Sequence, residues 1–285
     1  MLSRDPMQAK GKPFPIPPRL NRAGIYLGTS GYSFEDWSGI FYPSKKPALS
    51  EKDRFLFYQK YFSFLEINVT FYKEPDINFF IDLEKRSLPE LQFSVKVNQN
   101  LSHSKNPNRI EGRALMEKQI QAVSPLVESG RFYSFLIQLE NHRERSHNFL
   151  EYLLAISAPA TSKRMDIHIE FRHASWHRQE ILQTLKDAGI GICNTEFPSM
   201  PNIFPLKAYA TTPKGYLRYS GKANEYCYSE KEIVEHVESQ GLLIDKTDTL
   251  AIAYNNPLQA NAALNAIRNL EILRERLERR SKLTA

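Results

Sequence analysis

The length and charge of the sequence exclude some classes of protein at once. At 285 residues the chain exceeds the usual single-domain size, but α/β barrels of about 250 residues fold as one domain, so one large core suffices. The net charge of +6 lies wholly in the termini, with +4 in residues 1–22 and +2 in residues 271–285, so the neutral body does not support a protein that coats duplex nucleic acid with a basic surface.

Short apolar runs alternate with stretches of helical period along most of the chain. Five prolines in residues 1–22 predict an extended or disordered basic arm, because proline fixes φ and removes a backbone donor. From residue 23 to residue 285, the predicted strands are 25–29, 64–71, 92–98, 133–140, 165–172, 190–195, 215–220 and 249–255. The predicted helices are 51–62, which Ser50 caps, and 77–87, 113–127, 147–156, 178–188, 230–240 and 260–280.

The order of these elements predicts the fold class. Eight strands, each followed by helical or long loop sequence, are typical of an α/β protein with a single-domain TIM-like (β/α)8 barrel. A doubly wound open sheet is the alternative for the same alternation, but eight is the number of strands at which such a sheet closes.

Most of the predicted strands have one apolar face and one polar face. Because side chains alternate along a strand, the apolar face of a barrel strand packs against the helices and the other face points to the axis. The residues expected to converge on the axis are Glu66, Asn68, Lys96, Gln138, Glu170, Arg172, Arg218 and Asn255. Burying unpaired charge costs several kcal/mol, so their concentration near the carboxyl ends of the strands predicts a site. The alternative is a self-satisfied ion-pair network that binds no ligand.

The charged residues of this polar face are the predicted catalytic and anion-binding groups. Glu66 and Glu170 are the candidate general acid and base, since two carboxylates on different strands can hold different pKa values, and Lys96 completes the catalytic set. A Schiff base on Lys96 would require a depressed amine pKa, whereas the nearby carboxylates are expected to raise it. Arg172 and Arg218 are predicted to bind an anionic group, because three cations outnumber two carboxylates.

Further ligand contacts are predicted at the mouth of the barrel. Tyr32, Tyr72 and Trp176 could stack on a sugar or a base. The other predicted contacts are Ser30, Asn68, His103, Gln138, His173 and Asn255. Together these residues predict a small anionic or sugar-like ligand.

The sequence predicts no cofactor and no metal site. The alternative is a divalent metal ion, for which His103, His168 and His173 could join Glu66 and Glu170. The H-x-H and H-E-x-x-H spacings that would favour such a site are absent from the sequence.

Cysteine usage and hydropathy bear on the compartment. Cys193 and Cys227 have no C-x-x-C spacing, and the amino terminus shows no charged start followed by an apolar core. No run approaches the roughly 18 apolar residues of a spanning helix. We therefore expect a reduced, cytoplasmic protein with no membrane partner, and the oligomeric state stays open.

Five motifs together carry a family resemblance. They are IYLGTSGYSFEDWSGIFYP at 25–43, FLEINVTFY at 64–72, FSVKVN at 93–98, IEFRHASW at 169–176 and AYNN at 253–256. On these motifs, over about residues 25–274, the chain resembles the domain-of-unknown-function-72 family, or YecE-like proteins. The resemblance implies a TIM-like barrel, similar in shape to those of sugar isomerases and abasic-site endonucleases. It implies no established reaction, so it bears on the fold more than on the function.

The chain departs from this family pattern at three strand ends. Ser220 stands where the pattern has a histidine, Glu140 and Asn141 stand where it has two prolines, and the sixth strand lacks an aspartate. If the family chemistry needs that histidine or that aspartate, this member is expected to be altered or inactive.

The preferred hypothesis is a hydrolase-like or isomerase-like TIM-barrel enzyme that acts on a phosphorylated or sugar-containing ligand by acid/base chemistry. One alternative is a nucleic-acid-binding barrel, endonuclease-like or non-catalytic, in which the aromatic mouth stacks a flipped base and the basic termini hold the backbone. The other alternative is a pseudoenzyme that binds a metabolite.

Overall fold

The order of pairing between strands defines the architecture. The computed structural model describes residues 24–44, 47–74, 76–197, 201–221 and 226–284, and the predicted arm at residues 1–22 lies outside these ranges. Within them, eight parallel strands pair in sequence order and close into one barrel, with the last strand beside the first. The prediction of a TIM-like (β/α)8 barrel is confirmed.

Helices and strands alternate through the described residues. The strands are β1 (Ile25–Ser30), β2 (Phe64–Ile67), β3 (Gln92–Lys96), β4 (Phe132–Gln138), β5 (Ile167–Glu170), β6 (Gly191–Glu196), β7 (Lys214–Tyr219) and β8 (Thr249–Tyr254). The helices are α1 (Glu51–Tyr58), α2 (Val69–Tyr72), α3 (Ile77–Arg86), α4 (Gln99–Ser102), α5 (Arg109–Ala122), α6 (Ser124–Glu128), α7 (His147–Ser162), α8 (Gln179–Asp187), α9 (Glu230–Ile244) and α10 (Asn261–Thr284). Short 3-10 turns lie at Glu35–Trp37, Ala174–Trp176 and Leu258–Ala260.

The end of β2 differs from the prediction. The predicted strand 64–71 ends at Ile67, because Asn68 has φ and ψ of −104° and −14°, which turn the chain out of the sheet into α2. A helical turn does not alternate its side chains between two faces, so residues 69–72 do not continue the axis-facing side on which Glu66 lies. The turn instead carries residues 69–72 over the carboxyl end of the barrel.

Side chains cap the helices where the sequence predicted and also where it did not. The Ser50 hydroxyl accepts a hydrogen bond from the Asp53 N–H at the start of α1, as expected. A complete capping box begins α9, in which Ser229 and Glu232 each bond to the other's backbone N–H.

Among the helices of the described residues, none has both the length and the apolar character that a membrane crossing requires.

The lower part of the barrel interior is filled with apolar and aromatic side chains. This interior cluster comprises Phe64, Tyr133, Leu136, Cys193, Tyr216, Ala251 and Ala253. His168 lies nearby, fully buried, with Nδ1 2.6 Å from the Ser134 hydroxyl and Nε2 2.9 Å from the Lys214 carbonyl oxygen. Burial lowers the pKa of His168 to about 4, so the imidazole is neutral. These side chains fill the barrel interior below the carboxyl ends of the strands.

β1 and β2 approach so closely at Gly28 that no side chain fits between them. A Cβ atom on Gly28 would lie 1.8 Å from the Phe64 carbonyl oxygen and 2.6 Å from the Tyr58 hydroxyl. That hydroxyl accepts a hydrogen bond from the Thr29 N–H at 2.8 Å and donates one to the Phe64 carbonyl at 2.7 Å. The first glycine of the GTSG motif is therefore required by packing.

We predict that Gly28→Ala destabilises the protein by at least about 1–3 kcal/mol, because the added methyl group must displace backbone. Gly241→Ala in α9 is the matched control: its nearest neighbour is Arg276 Nη2 at 3.8 Å, and the helix propensity of alanine should make it neutral or stabilising by up to about 1 kcal/mol. Thermal unfolding midpoints of both variants check this. An unchanged midpoint in Gly28→Ala would contradict the close approach.

Candidate functional site

Three charged side chains from different strands meet inside the barrel at its carboxyl end. Glu66 on β2, Glu170 on β5 and Arg218 on β7 are 0%, 0% and 1% exposed. Period-two alternation turns them inward while their apolar neighbours on each strand pack toward the helices, as the strand faces predicted.

Arg218 joins the two carboxylates. Its Nε donates to Glu66 Oε2 at 2.7 Å and its Nη2 donates to Glu66 Oε1 at 2.8 Å, which is the bidentate geometry of a strong ion pair. Its Nη1 donates to Glu170 Oε2 at 2.5 Å. All three guanidinium nitrogens therefore bond to carboxylates, and we refer to Glu66, Arg218 and Glu170 as the arginine clamp.

Two hydroxyl groups complete the surroundings of Glu66. Ser30 Oγ donates to Oε1 at 2.5 Å and the Tyr216 hydroxyl donates to Oε2 at 2.7 Å, while Asn68 Nδ2 donates to Ser30 Oγ at 2.6 Å. Burial alone would raise the pKa of Glu66, but the Arg218 charge and these hydrogen bonds outweigh it and lower the pKa. Each oxygen of Glu66 thus accepts two hydrogen bonds.

Glu170 is held between two arginines. Besides Arg218, the Nε of Arg172 donates to Glu170 Oε1 at 2.7 Å. Burial opposes ionisation, but the two guanidinium charges dominate and lower the pKa of Glu170 to about 2. Neither Glu66 nor Glu170 therefore changes its protonation near neutral pH, in contrast to the expectation that the two carboxylates would serve as acid and base.

Lys96 lies at the carboxyl end of β3 and is half-buried. Its Nζ lies 4.1 Å from the centroid of the Phe71 ring, and it makes no hydrogen bond or ion pair with any residue that the structure describes. Burial lowers the pKa of Lys96 to about 8; the charge of Arg218 adds to this effect, and the carboxylates oppose it. The sequence predicted a raised pKa. The direction is reversed because burial, the largest effect, and the positive charge of Arg218 together outweigh the attraction of the two carboxylates.

Other predicted contacts surround Phe71 or lie across the mouth from it. The Phe71 ring has the His103 ring and the Tyr72 ring at 5.0 Å each, both edge-on, and Tyr72 is 73% exposed. Burial lowers the pKa of His103. After β8, Asn255 Nδ2 donates to the Ser220 hydroxyl at 3.3 Å, so the serine that replaces the family histidine has a partner.

Arg172 and Gln138 border the arginine clamp on the β4 and β5 side. The Arg172 Nη1 donates to Asn141 Oδ1 at 3.0 Å, and the guanidinium lies 4.5 Å from the centroid of Phe197. Gln138 ends β4 and is buried. Asn141 therefore replaces a proline of the family pattern with an acceptor for Arg172.

The structure does not bring three predicted contacts to the centre of the site. Trp176 is fully buried, with its ring stacked on Phe171 at 4.8 Å, so no ligand reaches it in this structure. The Tyr32 ring packs against Phe55 at 5.2 Å as part of the core. His173 caps the 3-10 turn that contains Trp176.

Two residues that shape the site are not among the predicted contacts. Tyr216 precedes Arg218 by two positions on β7, so strand alternation could have identified it as a neighbour of Glu66. In the predicted strand 64–71, alternation would turn Phe71 outward toward the helices. Its place beneath Lys96 follows from the helical turn after Asn68.

The residues weighed as metal ligands are separated. Across the described ranges, no three His, Cys, Asp or Glu side chains come together as a set of metal ligands. His168 lies in the lower barrel interior, His173 caps a turn, and Glu66 and Glu170 bond to arginines.

We predict that Arg218→Met destabilises the protein by about 3–5 kcal/mol at neutral pH, because it leaves two buried carboxylates without a counter-charge. Their lowered pKa values stabilise the wild-type fold above the pKa of an unfolded glutamate, and this contribution is lost as pH falls toward 2. The difference from wild type should therefore shrink in acid, where the variant's carboxyls become protonated.

Arg280→Met is the control, since the Arg280 pair with Asp245 is 56% and 50% exposed and should contribute at most about 1 kcal/mol. Denaturant unfolding from pH 7 to pH 4 measures both variants. Equal destabilisation by the two substitutions would contradict the pairing of Arg218 with two buried carboxylates.

Comparisons with known proteins agree with this architecture. The family model for proteins of unknown function DUF72 matches residues 26–284. A DUF72 family protein from Thermotoga maritima has a similar structure, with 28% identity, a TM-score of 0.76, and coverage of 90% of this chain and 99% of that chain. A DUF72 family protein from Enterococcus faecalis is 20% identical with a TM-score of 0.75, covers 87% of this chain and 95% of its own, and bears on the fold alone.

No curated protein matches the sequence. The family match nevertheless spans nearly the whole chain, from the second residue of β1 to the end of α10. The resemblance drawn from the motifs is thus confirmed, and the protein belongs to the DUF72 family of proteins of unknown function.

Proposed function

We propose that this protein is an enzyme that performs acid/base chemistry on a phosphorylated or sugar-containing ligand at the carboxyl ends of the barrel strands. The observation that carries the proposal is the state of Lys96. It is a half-buried amine with a pKa of about 8, without a hydrogen-bond partner among the described residues, beside charges that are paired with one another.

The balance of charge favours an anionic ligand group. Glu66 and Glu170 carry two negative charges, and Arg172 and Arg218 carry two positive charges that bond to them. A protonated Lys96 therefore leaves one positive charge without a counter-charge. A phosphate or carboxylate bound at this mouth would supply the counter-charge.

The same lysine fits a role in proton transfer. A general acid or base works best when its pKa lies near the working pH, and the Lys96 value of about 8 meets this condition. Glu66 and Glu170 have lowered pKa values and bond to arginine, so we assign them to holding Arg218 and shaping the pocket. Lys96 is then the group that accepts and returns the proton.

Uncharged polar groups near the clamp support a hydroxylated ligand. Asn68 Oδ1 is buried and has no hydrogen-bond partner among the described residues, although its Nδ2 bonds to Ser30. An unsatisfied buried acceptor costs about 1–3 kcal/mol, which a ligand hydroxyl could recover. The exposed ring of Tyr72 offers a face on which a sugar can stack.

The nucleic-acid alternative receives less support from the described residues. It depended on the arm at residues 1–22, which lies outside the described ranges, and on three stacking aromatics. Trp176 is buried and Tyr32 packs in the core, so of the three only Tyr72 presents most of its ring to solvent. We therefore favour the small-ligand hypothesis.

We predict that low millimolar sulfate raises the thermal unfolding midpoint at pH 7 and that this effect fades as pH rises through about 8, where Lys96 loses its charge. Sulfate keeps its charge over this range, so the change reports on the protein. Lys96→Met should abolish the response.

Lys214→Met should keep the sulfate response, because Lys214 lies at the opposite end of the barrel, 2.8 Å from Asp166. This control also removes any general salting effect of sulfate, which acts on both variants alike. A response in Lys96→Met equal to that of the wild type would refute the anion site.

A further inference from the structure

Two half-buried lysines of the barrel have contrasting surroundings. Lys214, the first residue of β7, lies 2.8 Å from Asp166 and 3.3 Å from the Tyr133 carbonyl oxygen. Lys96, the last residue of β3, has no such acceptor among the described residues and lies over the face of Phe71. When the Lys96 amine is neutral, its electron pair is therefore available to a ligand.

Charged and titratable groups face Lys96 from several elements. They are Glu66 on β2, Glu170 and Arg172 at the end of β5, Arg218 on β7, and His103 after α4. The first four compensate one another, and burial lowers the pKa of His103 so that it stays neutral. No net negative charge holds the proton on the amine.

The neutral amine is accordingly abundant at physiological pH. With a pKa of about 8, roughly a fifth of the molecules carry neutral Lys96 near pH 7.4, against about one in a thousand for a lysine with an ordinary pKa of 10.5. A desolvated lysine with a depressed pKa is an activated nucleophile toward carbonyl carbon.

We propose that Lys96 forms an imine with the carbonyl carbon of an anionic aldehyde or ketone, such as an open-chain sugar phosphate. The inference rests on the proposed function, because the anionic group of the ligand must bind at the same mouth of the barrel. What it adds is the reacting group of the ligand, a carbonyl carbon. The Nη2 of Arg172 makes no hydrogen bond with the described residues, and it is the donor we assign to the anionic group.

The step balances without an oxidant or a reductant. The neutral Nζ attacks the carbonyl carbon, a C–N bond forms, and the carbonyl oxygen becomes a hydroxyl by taking a proton that the nitrogen loses. The hydroxyl then leaves with a second nitrogen-derived proton as water, and a C=N bond remains. A proton from solvent at the open mouth converts the imine to its cationic form.

The cationic imine and the ammonium ion of Lys96 are stabilised by the same contact. Both carry one positive charge over the face of Phe71, where the ring quadrupole attracts a cation. The arginine clamp keeps its own charges paired throughout, so the reaction changes the charge of Lys96 and its ligand alone.

Reductive trapping tests the inference on the full-length protein. Sodium cyanoborohydride is added together with one of three compounds. Dihydroxyacetone phosphate has both a ketone and a phosphate, dihydroxyacetone has the ketone alone, and glycerol 3-phosphate has the phosphate alone. Peptide mass spectrometry locates the reduced adducts. We expect dihydroxyacetone phosphate to label Lys96 at least about tenfold more than Lys214, because the Lys214 amine is held in an ion pair with Asp166.

The controls separate the imine from simple binding. Dihydroxyacetone should label Lys96 weakly, and glycerol 3-phosphate should form no adduct but protect Lys96 from labelling. Lys96→Arg, which keeps the charge, should lose the adduct at this position with an unchanged unfolding midpoint. Lys214→Arg should retain labelling of Lys96.

Two results would overturn the inference: dihydroxyacetone phosphate labelling Lys96 no more than Lys214, or dihydroxyacetone labelling Lys96 as strongly as its phosphate does. Either result refutes the imine. The proposed anion site still stands if sulfate and glycerol 3-phosphate stabilise the wild type but not Lys96→Met. If these anions do not bind, the proposed function fails as well.

Discussion

The buried guanidinium of Arg218 sets the electrostatics of the barrel mouth. It bonds to Glu66 and Glu170 from two other strands, so three charges that would each be costly to bury alone are kept ionised together. The lowered pKa values of both carboxylates follow from this contact. Burial lowers the pKa of Lys96, and the Arg218 charge adds to this effect while the carboxylates oppose it.

The GTSG motif supports this arrangement from β1. Gly28 lets β1 lie against β2 where any side chain would clash with the Phe64 carbonyl, and the Tyr58 hydroxyl bridges the two strands there. Two residues later, Ser30 donates to Glu66. The GTSG motif thus provides both the close approach of β1 to β2 and a hydrogen bond to the arginine clamp.

Strand alternation predicted which residues meet, but not how they pair. The inward positions of Glu66, Glu170 and Arg218 follow from period-two geometry alone, and so they could be predicted. The direction of the Lys96 pKa shift could not, because it depends first on how far the amine is buried and then on the nearby Arg218 charge. The end of β2 could not be predicted either, because no glycine or proline marks the turn at Asn68.

The protonation of Lys96 reports directly on the electrostatics of the barrel mouth. In protein labelled with 15N at the lysine side chains, the Nζ resonance of Lys96 can be assigned by its loss in Lys96→Arg and followed as a function of pH. We expect a titration midpoint near 8, because burial and the Arg218 charge lower the pKa of Lys96 to about this value. A midpoint at the ordinary lysine pKa of 10.5 or above would contradict it, since Lys96 would then be a charged partner of the carboxylates.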